Sequence, residues 1–247
     1  MTNNATDAKL YLIPVSLGEG SNYLYSQTDV QIILNIKHFI VESYKPAKRI
    51  IHALYKSLVP NYQEAFDRLE WYQISDMDAQ TTRELIKEGA VKAWKMGLMS
   101  DAGCPAVADP GASIVRLAHY FDYQVEPMIG PSSILLALMA SGLGGQQFAF
   151  HGYLPQKADI RVKKIKYLER ESLDKNQTQL FIETPYRNEA LFRDLITHLS
   201  PETLLAIAVD LTLPSQFIRT LEVLDWQKLP LPSIQKRPCL FSFKRTP

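Results

Sequence analysis

The sequence predicts a two-domain α/β protein, with a parallel α/β N-terminal domain and a C-terminal domain built on a mixed sheet. In the first half of the 247 residues, short apolar runs alternate with amphipathic segments at the spacing of β-α units. In the second half, the strand-like runs lie closer together and fewer helices separate them. Glycines at positions 142, 144 and 145 interrupt the chain between the halves. We therefore expect domains over residues 1–146 and 147–247.

The elements follow from apolar periodicity and from turn residues. Proline is tolerated where the helix amide has no partner, so Pro46 is expected to begin a helix. In the first domain we predict strands over residues 10–14, 39–41, 71–74 and 96–99, and helices over 29–36, 46–59 and 78–93. Residues 97–133 read as strand, loop, helix, strand, loop and helix. In the second domain we predict helices over 159–175 and 188–199, and strands over 179–182, 204–209, 217–221 and 239–243.

Composition is that of an ordinary soluble globular protein, with 46% hydrophobic and 21% charged residues. A net charge of +1 argues against a globally basic nucleic-acid-binding protein. The first ten residues lack the charged-then-apolar pattern of a secretion signal, and no apolar run approaches the roughly 20 residues of a membrane span. Two cysteines are too few for a disulfide framework or a closed zinc site. We expect a cytoplasmic protein without a membrane segment.

Two loops of small and turn-forming residues carry the strongest signal for a binding site. Asp101, Ala102 and Gly103 follow an apolar run, and residues 109–111 (Asp-Pro-Gly) lie further along the same loop. The second loop, residues 130–133, reads Gly-Pro-Ser-Ser. In parallel sheets, ligands bind where loops leave the carboxyl ends of strands. A carboxylate there can accept hydrogen bonds from a ligand, although an Asp that only caps a turn is a common alternative.

Five segments in chain order resemble the motifs of one family. They are SDAGCPAVADPG (100–111), IGPSSILLALMASGL (129–143), FAFHGYLP (148–155), FIETPYR (181–187) and AVDLT (208–212). These segments resemble the tetrapyrrole methylase superfamily, and most closely its branch of ribosomal RNA small-subunit methyltransferase I. The resemblance runs from the first predicted strand to the last, and five ordered motifs are far more specific than any one of them.

The resemblance implies a two-domain enzyme, usually a homodimer, that binds the methyl donor S-adenosylmethionine in the cleft between its domains. It also implies which residues contact the donor. The residues so implied are Pro14, Asp101, Ala102, Gly103, Ser132, Ser133, Glu183 and Ala206. If the acceptor is a hydroxyl, a general base helps to remove its proton, and Glu42 at the end of the second strand is our candidate. No metal is expected.

The chain departs from the branch pattern at two places. Where the branch has Glu-Asp-Thr-Arg, this chain has Glu42-Ser43-Tyr44-Lys45. Where the branch has Arg-Glu-Leu-Thr-Lys, residues 209–213 read Val-Asp-Leu-Thr-Leu. The donor side of the site therefore follows the branch more closely than the acceptor side does.

Three functions follow from these observations. The first is a methyltransferase that uses S-adenosylmethionine to modify a ribose 2′-hydroxyl of small-subunit ribosomal RNA. The second is methylation of a tetrapyrrole or another small molecule, and the third is binding of donor or RNA without catalysis. Basic residues over 161–170 favour phosphate contacts, although a solvated helix face explains them about equally well. The five histidines show no metal-binding spacing.

Overall fold

The computed structural model describes residues 7–19 and 25–246. Among these, residues 7–17 and 25–131 form one compact unit, and residues 18–19 and 132–246 form a second. Each unit is built on its own five-stranded sheet. The predicted fold class is confirmed: the first sheet is parallel and the second is mixed.

The first sheet has the strand order β3-β2-β4-β1-β5. Its strands are β1 (Lys9–Leu12), β2 (His38–Val41), β3 (Glu70–Gln73), β4 (Lys95–Met99) and β5 (Gln124–Pro127). Helices α1 (Gln27–Leu34), α2 (Tyr44–Leu58), α3 (Tyr62–Asp67), α4 (Ala79–Val91) and α5 (Ala112–Tyr120) connect them, with a 3-10 turn at Ile74–Asp76. Because β1 and β2 both pair with β4, their carboxyl ends meet at one edge of the sheet.

Each face of the first sheet buries its own apolar cluster, as a parallel sheet requires. One cluster joins Ile13 and Phe39 to helices α1 and α2, and the other joins Leu10 and Leu98 to helices α4 and α5. Gly97 on β4 lies against the side chains of Ile13 and Phe39. A Cβ atom at this position would come within 2.7 Å of Ile13 and 3.1 Å of Phe39. The absence of a side chain at this position lets the apolar layer close on β4.

The second sheet has the strand order β6-β7-β10-β8-β9, and only β6 and β7 pair in parallel. Its strands are β6 (Phe148–Tyr153), β7 (Thr178–Glu183), β8 (Leu204–Val209), β9 (Phe217–Glu222) and β10 (Cys239–Lys244). Its helices are α6 (Ser133–Ser141), α7 (Ala158–Asp174), α8 (Asn188–His198) and α9 (Val223–Trp226). Phe181, Ile207 and Phe241 share one core with apolar residues of α7 and α8, whereas α6 contacts β8, β9 and β10.

Most predicted elements agree with the structure to within two residues. Helix α2 begins at Tyr44 instead of Pro46, after Ser43 as its N-cap. Strand β6 and the short helices α3 and α9 lack a sequence-based prediction. Helix α6 belongs to the second compact unit, although it precedes the glycine-rich segment. The domain boundary between residues 146 and 147 stays a prediction, because a division into compact units does not show which segments fold independently.

Candidate functional site

The loop after β4 holds Asp101 and Ala102 at the carboxyl edge of the first sheet. Gly103 pairs with Val15, which follows β1, through two backbone hydrogen bonds of 2.8 and 2.9 Å. Gly103 has φ +71°, a left-handed conformation that glycine adopts at no steric cost. The buried Ser100 hydroxyl donates to the Ala102 carbonyl at 3.0 Å. Both ends of the turn are fixed, while Asp101 and Ala102 themselves are exposed.

Glu42 and Ser43, which follow β2, both bind Asp101. The Asp101 amide donates to Glu42 Oε2 at 3.0 Å, and the Ser43 hydroxyl donates to Asp101 Oδ2 at 2.8 Å. The Glu42 amide itself donates to the Met99 carbonyl at 3.0 Å, which extends the pairing of β2 with β4. Within the described residues, Glu42 Oε1 and Asp101 Oδ1 take no hydrogen bond. The structure thus brings Glu42 and Asp101 together and leaves each carboxylate one oxygen for a ligand.

A third carboxyl group faces the same two acids. The pKa of Asp109 is raised to about 6, mainly by burial and also by the nearby charges of Glu42 and Asp101, while a hydrogen bond with Ser100 lowers it. Asp109 lies in the predicted loop, but its motif gives no signal that the loop folds back toward Glu42, so sequence alone assigns it no function. Asp109 is therefore the carboxyl group of this cluster that most readily holds a proton near neutral pH.

Pro14 and Cys104 lie in the same edge region. Pro14 is buried, and its carbonyl accepts a hydrogen bond from the Tyr25 hydroxyl at 2.8 Å. The half-buried Cys104 thiol contacts the Pro131 carbonyl at 3.4 Å, and burial raises the pKa of Cys104. A raised pKa disfavours the thiolate, so Cys104 is suited to packing and poorly suited to nucleophilic chemistry.

In the second unit, Ser132 and Ser133 begin helix α6. Ser132 is the N-cap residue, and its hydroxyl accepts the Leu135 amide at 3.5 Å. Its carbonyl accepts the Leu136 amide at 2.9 Å. The Ser132 side chain thus already serves the helix, while Ser133 is the first helical residue.

The structure does not bring Glu183 and Ala206 to one face of the second sheet. Glu183 pairs with Cys239, which pairs with Val209, so its side chain lies on the α7 and α8 face. Ala206 has the opposite parity on β8 and lies on the α6 face. The Glu183 side chain is 0% exposed and forms an ion pair with Arg187, while its Oε2 is buried with no hydrogen-bond partner in the described part of the chain. The assignment of both residues to the donor stays a prediction.

The described residues contain no group of three or more His, Cys, Asp or Glu side chains arranged to hold a metal ion. No helix in the same ranges combines the length and apolarity needed to cross a bilayer.

Comparison with known proteins gives curated relatives that share one name. The chain is 24% identical over 233 residues to "Ribosomal RNA small subunit methyltransferase I" of Vibrio cholerae, covering 92% of this chain and 75% of that protein. A protein of the same name from Buchnera aphidicola subsp. Schizaphis graminum is 28% identical over 230 residues, covering 89% and 72%. No family model matches the chain.

Solved structures share the fold across nearly the whole chain. Uroporphyrin-III-C-methyltransferase from Thermus thermophilus has a TM-score of 0.51 at 18% identity, covering 96% of this chain and 92% of that one. The chain thus has the two-domain α/β fold of these methyltransferases, and the curated relatives above share the name of a ribosomal RNA methyltransferase. Two further structures with this fold are cobalt precorrin-4 methyltransferase (TM-score 0.54, 14% identity, covering 96% and 95%) and diphthine synthase (TM-score 0.60, 14% identity, covering 97% and 90%). The curated relatives that match about nine-tenths of the chain are methyltransferases by name, and the chain is a methyltransferase.

Proposed function

We propose that this methyltransferase takes a methyl group from S-adenosylmethionine and delivers it to a ribose 2′-hydroxyl in small-subunit ribosomal RNA. The observation that carries the donor half is the exposed Asp101 turn at the carboxyl edge of the first sheet. The acceptor half is supported by the shared name of the curated relatives, which match about nine-tenths of the chain.

The residues of the turn fit such a donor. S-adenosylmethionine offers an ammonium group and ribose hydroxyls as hydrogen-bond donors, and Asp101 presents a carboxylate oxygen without a protein partner in the described ranges. Ala102 and Gly103 add no bulk beyond Cβ beside it, so a ligand can approach the backbone closely. Pro14, Ser132, Ser133, Glu183 and Ala206 complete our proposed donor contacts. When bound, the donor supplies an electrophilic methyl group on a sulfonium centre.

The contribution of the chain is to orient the two reactants and to accept a proton. Correct alignment alone lowers the barrier of a transfer reaction by several kcal/mol. Glu42 holds the Asp101 amide through Oε2, which leaves Oε1 able to accept the proton of a hydroxyl nucleophile. We therefore propose Glu42 as the general base. Asp109, with a pKa of about 6, is protonated more readily than an ordinary aspartate, and this limits the negative charge beside Glu42.

The proposal extends to location and assembly. A methyltransferase that acts on ribosomal subunits works where those subunits are found, so we propose a cytoplasmic enzyme. We also propose that it acts as a homodimer, in keeping with the superfamily that it resembles. Light scattering of the purified protein tests the assembly, since a mass near 28.1 kDa would indicate a monomer and twice that value a dimer.

Transfer of labelled methyl groups tests the function. Wild-type protein and S-adenosylmethionine are incubated with RNA fractions and small-subunit particles from a strain that lacks this gene, beside a small-molecule extract. We expect label in small-subunit RNA, and resistance of one nucleotide linkage to alkaline hydrolysis would locate a 2′-O-methyl group. Label only in the extract would favour a tetrapyrrole or another small acceptor. Donor binding without any transfer would favour a binding protein.

A further inference from the structure

A cavity of about 400 Å³ lies in the second unit, at the end of the sheet opposite to Glu183. It forms where the last turns of α7 and α8 meet the segment that follows β10. Charged side chains dominate its wall. They are Lys166, Arg170 and Asp174 from α7, Glu169 from the same helix, His198 at the end of α8, and Arg245.

Two of the cations are free to bind an external anion. Lys166 and Arg170 are exposed, and neither forms a hydrogen bond or ion pair with another described residue. They are four positions apart on α7, so their side chains lie on one face of the helix. Two adjacent cations without a partner repel each other, and an anion between them relieves that repulsion.

The backbone of the third cation, Arg245, is held by a hydrogen bond to helix α7. Its backbone amide donates to the hydroxyl of Ser172 at 3.0 Å, and Ser172 is fully buried. The Ser172 hydroxyl donates in turn to the Gln177 carbonyl at 2.8 Å. This chain of hydrogen bonds ties the segment after β10 to helix α7, so that Arg245 forms one wall of the cavity.

The acids of the cavity offset these cations only in part. Glu169 is buried, and its Oε1 accepts the Ser200 amide at 2.7 Å and the Thr203 hydroxyl. Its Oε2 lies 3.9 Å from Arg245, longer than a hydrogen bond. Asp174 is exposed at the last position of α7. Glu169 thus partly neutralises Arg245, whereas the other two cations face only the one charge of Asp174, and the opening keeps a positive surplus.

We propose that this cavity binds a phosphate group, and that the phosphate belongs to the backbone of the RNA substrate. Arg and Lys side chains in a concave site are the usual ligands of phosphate, and Arg can bind it through two parallel hydrogen bonds. The assignment to RNA rests on the proposed function. The cavity would add affinity for the acceptor without reading its sequence.

The neighbouring basic residue Arg161 takes no part in this site. Its side chain is 8% exposed, forms an ion pair with Asp194 at 2.6 Å, and donates to the Gln156 carbonyl at 2.8 Å. Arg161 thus stabilises the start of α7, whereas Lys166 in the middle of the helix and Arg170 in its second half remain available. The basic segment divides into a structural part and a binding part.

The test compares Lys166→Gln and Arg170→Gln with matched controls. Lys157→Gln at the N-cap of α7 and Arg193→Gln on α8 each remove one exposed charge of the same type outside the cavity. Affinity for a short unstructured RNA is measured by fluorescence anisotropy at several salt concentrations, binding of inorganic phosphate by NMR titration, and binding of S-adenosylmethionine by calorimetry. Thermal melting confirms that all variants are folded.

We expect each cavity variant to bind RNA about threefold to tenfold more weakly, and its salt slope to fall by about 0.7 for the lost phosphate contact. Inorganic phosphate should shift the signals of Lys166 and Arg170 in the wild-type protein, and donor binding should not change. Equal losses in cavity and control variants would overturn the inference while leaving the proposed function intact. Phosphate binding at the cavity without any RNA binding by the wild type would overturn the RNA assignment and the proposed acceptor together.

Discussion

The acidic edge of the first unit and the basic cavity of the second are both clusters of charged side chains, but they differ in how they are held. Asp101 is fixed by its own amide, by the Ser43 hydroxyl and by the pairing of Gly103 with Val15. Lys166 and Arg170 are exposed on α7, and neither forms a hydrogen bond or ion pair within the part of the chain that the structure describes. The first cluster is preorganised for directional hydrogen bonds, whereas the second offers charge with little fixed geometry.

This difference separates two kinds of recognition. A fixed carboxylate with one free oxygen distinguishes ligands by the positions of their donors, and its affinity depends little on ionic strength. Flexible exposed cations bind a phosphate through electrostatic attraction that salt weakens strongly. Substitutions at the acidic edge should therefore change donor binding and turnover, while substitutions at the basic cavity should change RNA affinity.

Glu42→Gln should give the largest effect on turnover. The amide oxygen of glutamine can still accept the Asp101 N–H, but the side chain can no longer accept a proton. We expect kcat to fall by about 10²- to 10⁴-fold, the usual contribution of a general base, with donor affinity nearly unchanged. Single-turnover transfer to RNA measures the first quantity and calorimetry the second. A variant that retains wild-type kcat would remove Glu42 as the base.

Asp101→Ala should weaken binding of S-adenosylmethionine by about 10- to 150-fold, because a hydrogen bond to a charged group contributes about 1.5 to 3 kcal/mol. RNA affinity should stay the same, which sharpens the contrast with the basic cavity. Calorimetry measures donor binding, and anisotropy measures RNA binding. Because Asp101 is exposed, the substitution should leave the fold intact, and the thermal midpoint of the variant serves as the folding control. Unchanged donor affinity would show that the donor lies elsewhere.

Asp109→Asn should stabilise the protein at neutral pH. The pKa of Asp109 is about 6 in the folded protein and 3.8 for an unperturbed aspartate, the value expected in the unfolded chain. The folded state therefore holds the proton more tightly than the unfolded state. Stability is therefore lost as pH rises from about 4 to 6. At pH 7 the variant should be more stable by about 1 to 2 kcal/mol after solvent screening, with a smaller difference near pH 4. Urea unfolding at both values measures the change, and an equal difference at both would contradict the assigned cause.

Ser43→Ala should give the smallest effect. It removes one hydrogen bond to a partly exposed carboxylate, which contributes about 0.5 to 1 kcal/mol, so donor affinity should fall about twofold to fivefold. The related superfamily branch has Asp at this position, and a second carboxylate beside Asp101 would add repulsion that serine avoids. Ser43→Asp should therefore weaken donor binding more than Ser43→Ala in the same calorimetric measurement. The reverse order would show that the Ser43 contact does not orient Asp101.

The fold was largely predictable from the sequence because apolar periodicity and turn residues are local signals. Strand β8 (Leu204–Val209) has the predicted bounds, and helix α7 differs from its prediction by one residue at each end. The short helices α3 and α9 lack a long periodic pattern, which explains why they were missed. Helix α6 lies beside the second sheet through its buried apolar face, a tertiary preference that no local pattern encodes.

The site was predictable only in part. The loop pattern and the resemblance indicated Asp101, and the end of the second predicted strand indicated Glu42, but their hydrogen bond and the raised pKa of Asp109 depend on how two loops fold toward each other. The burial of Arg161 has a sequence signal that charge counting overlooks, since residues 161, 165, 168 and 172 follow helical spacing and are all buried. Glu183 and Ala206 lie on opposite faces of the second sheet. This follows only from the strand register, which sequence alone does not give.

A crystal structure of the protein with S-adenosylhomocysteine tests the proposed donor site most directly. We predict that the Asp101 carboxylate lies within hydrogen-bonding distance of a ligand hydroxyl or ammonium group, with the backbone of Ala102 and Gly103 beside the ligand. Glu42 should keep its bond to the Asp101 amide. A ligand bound away from the β4 loop, with Asp101 facing only solvent, would contradict the donor assignment.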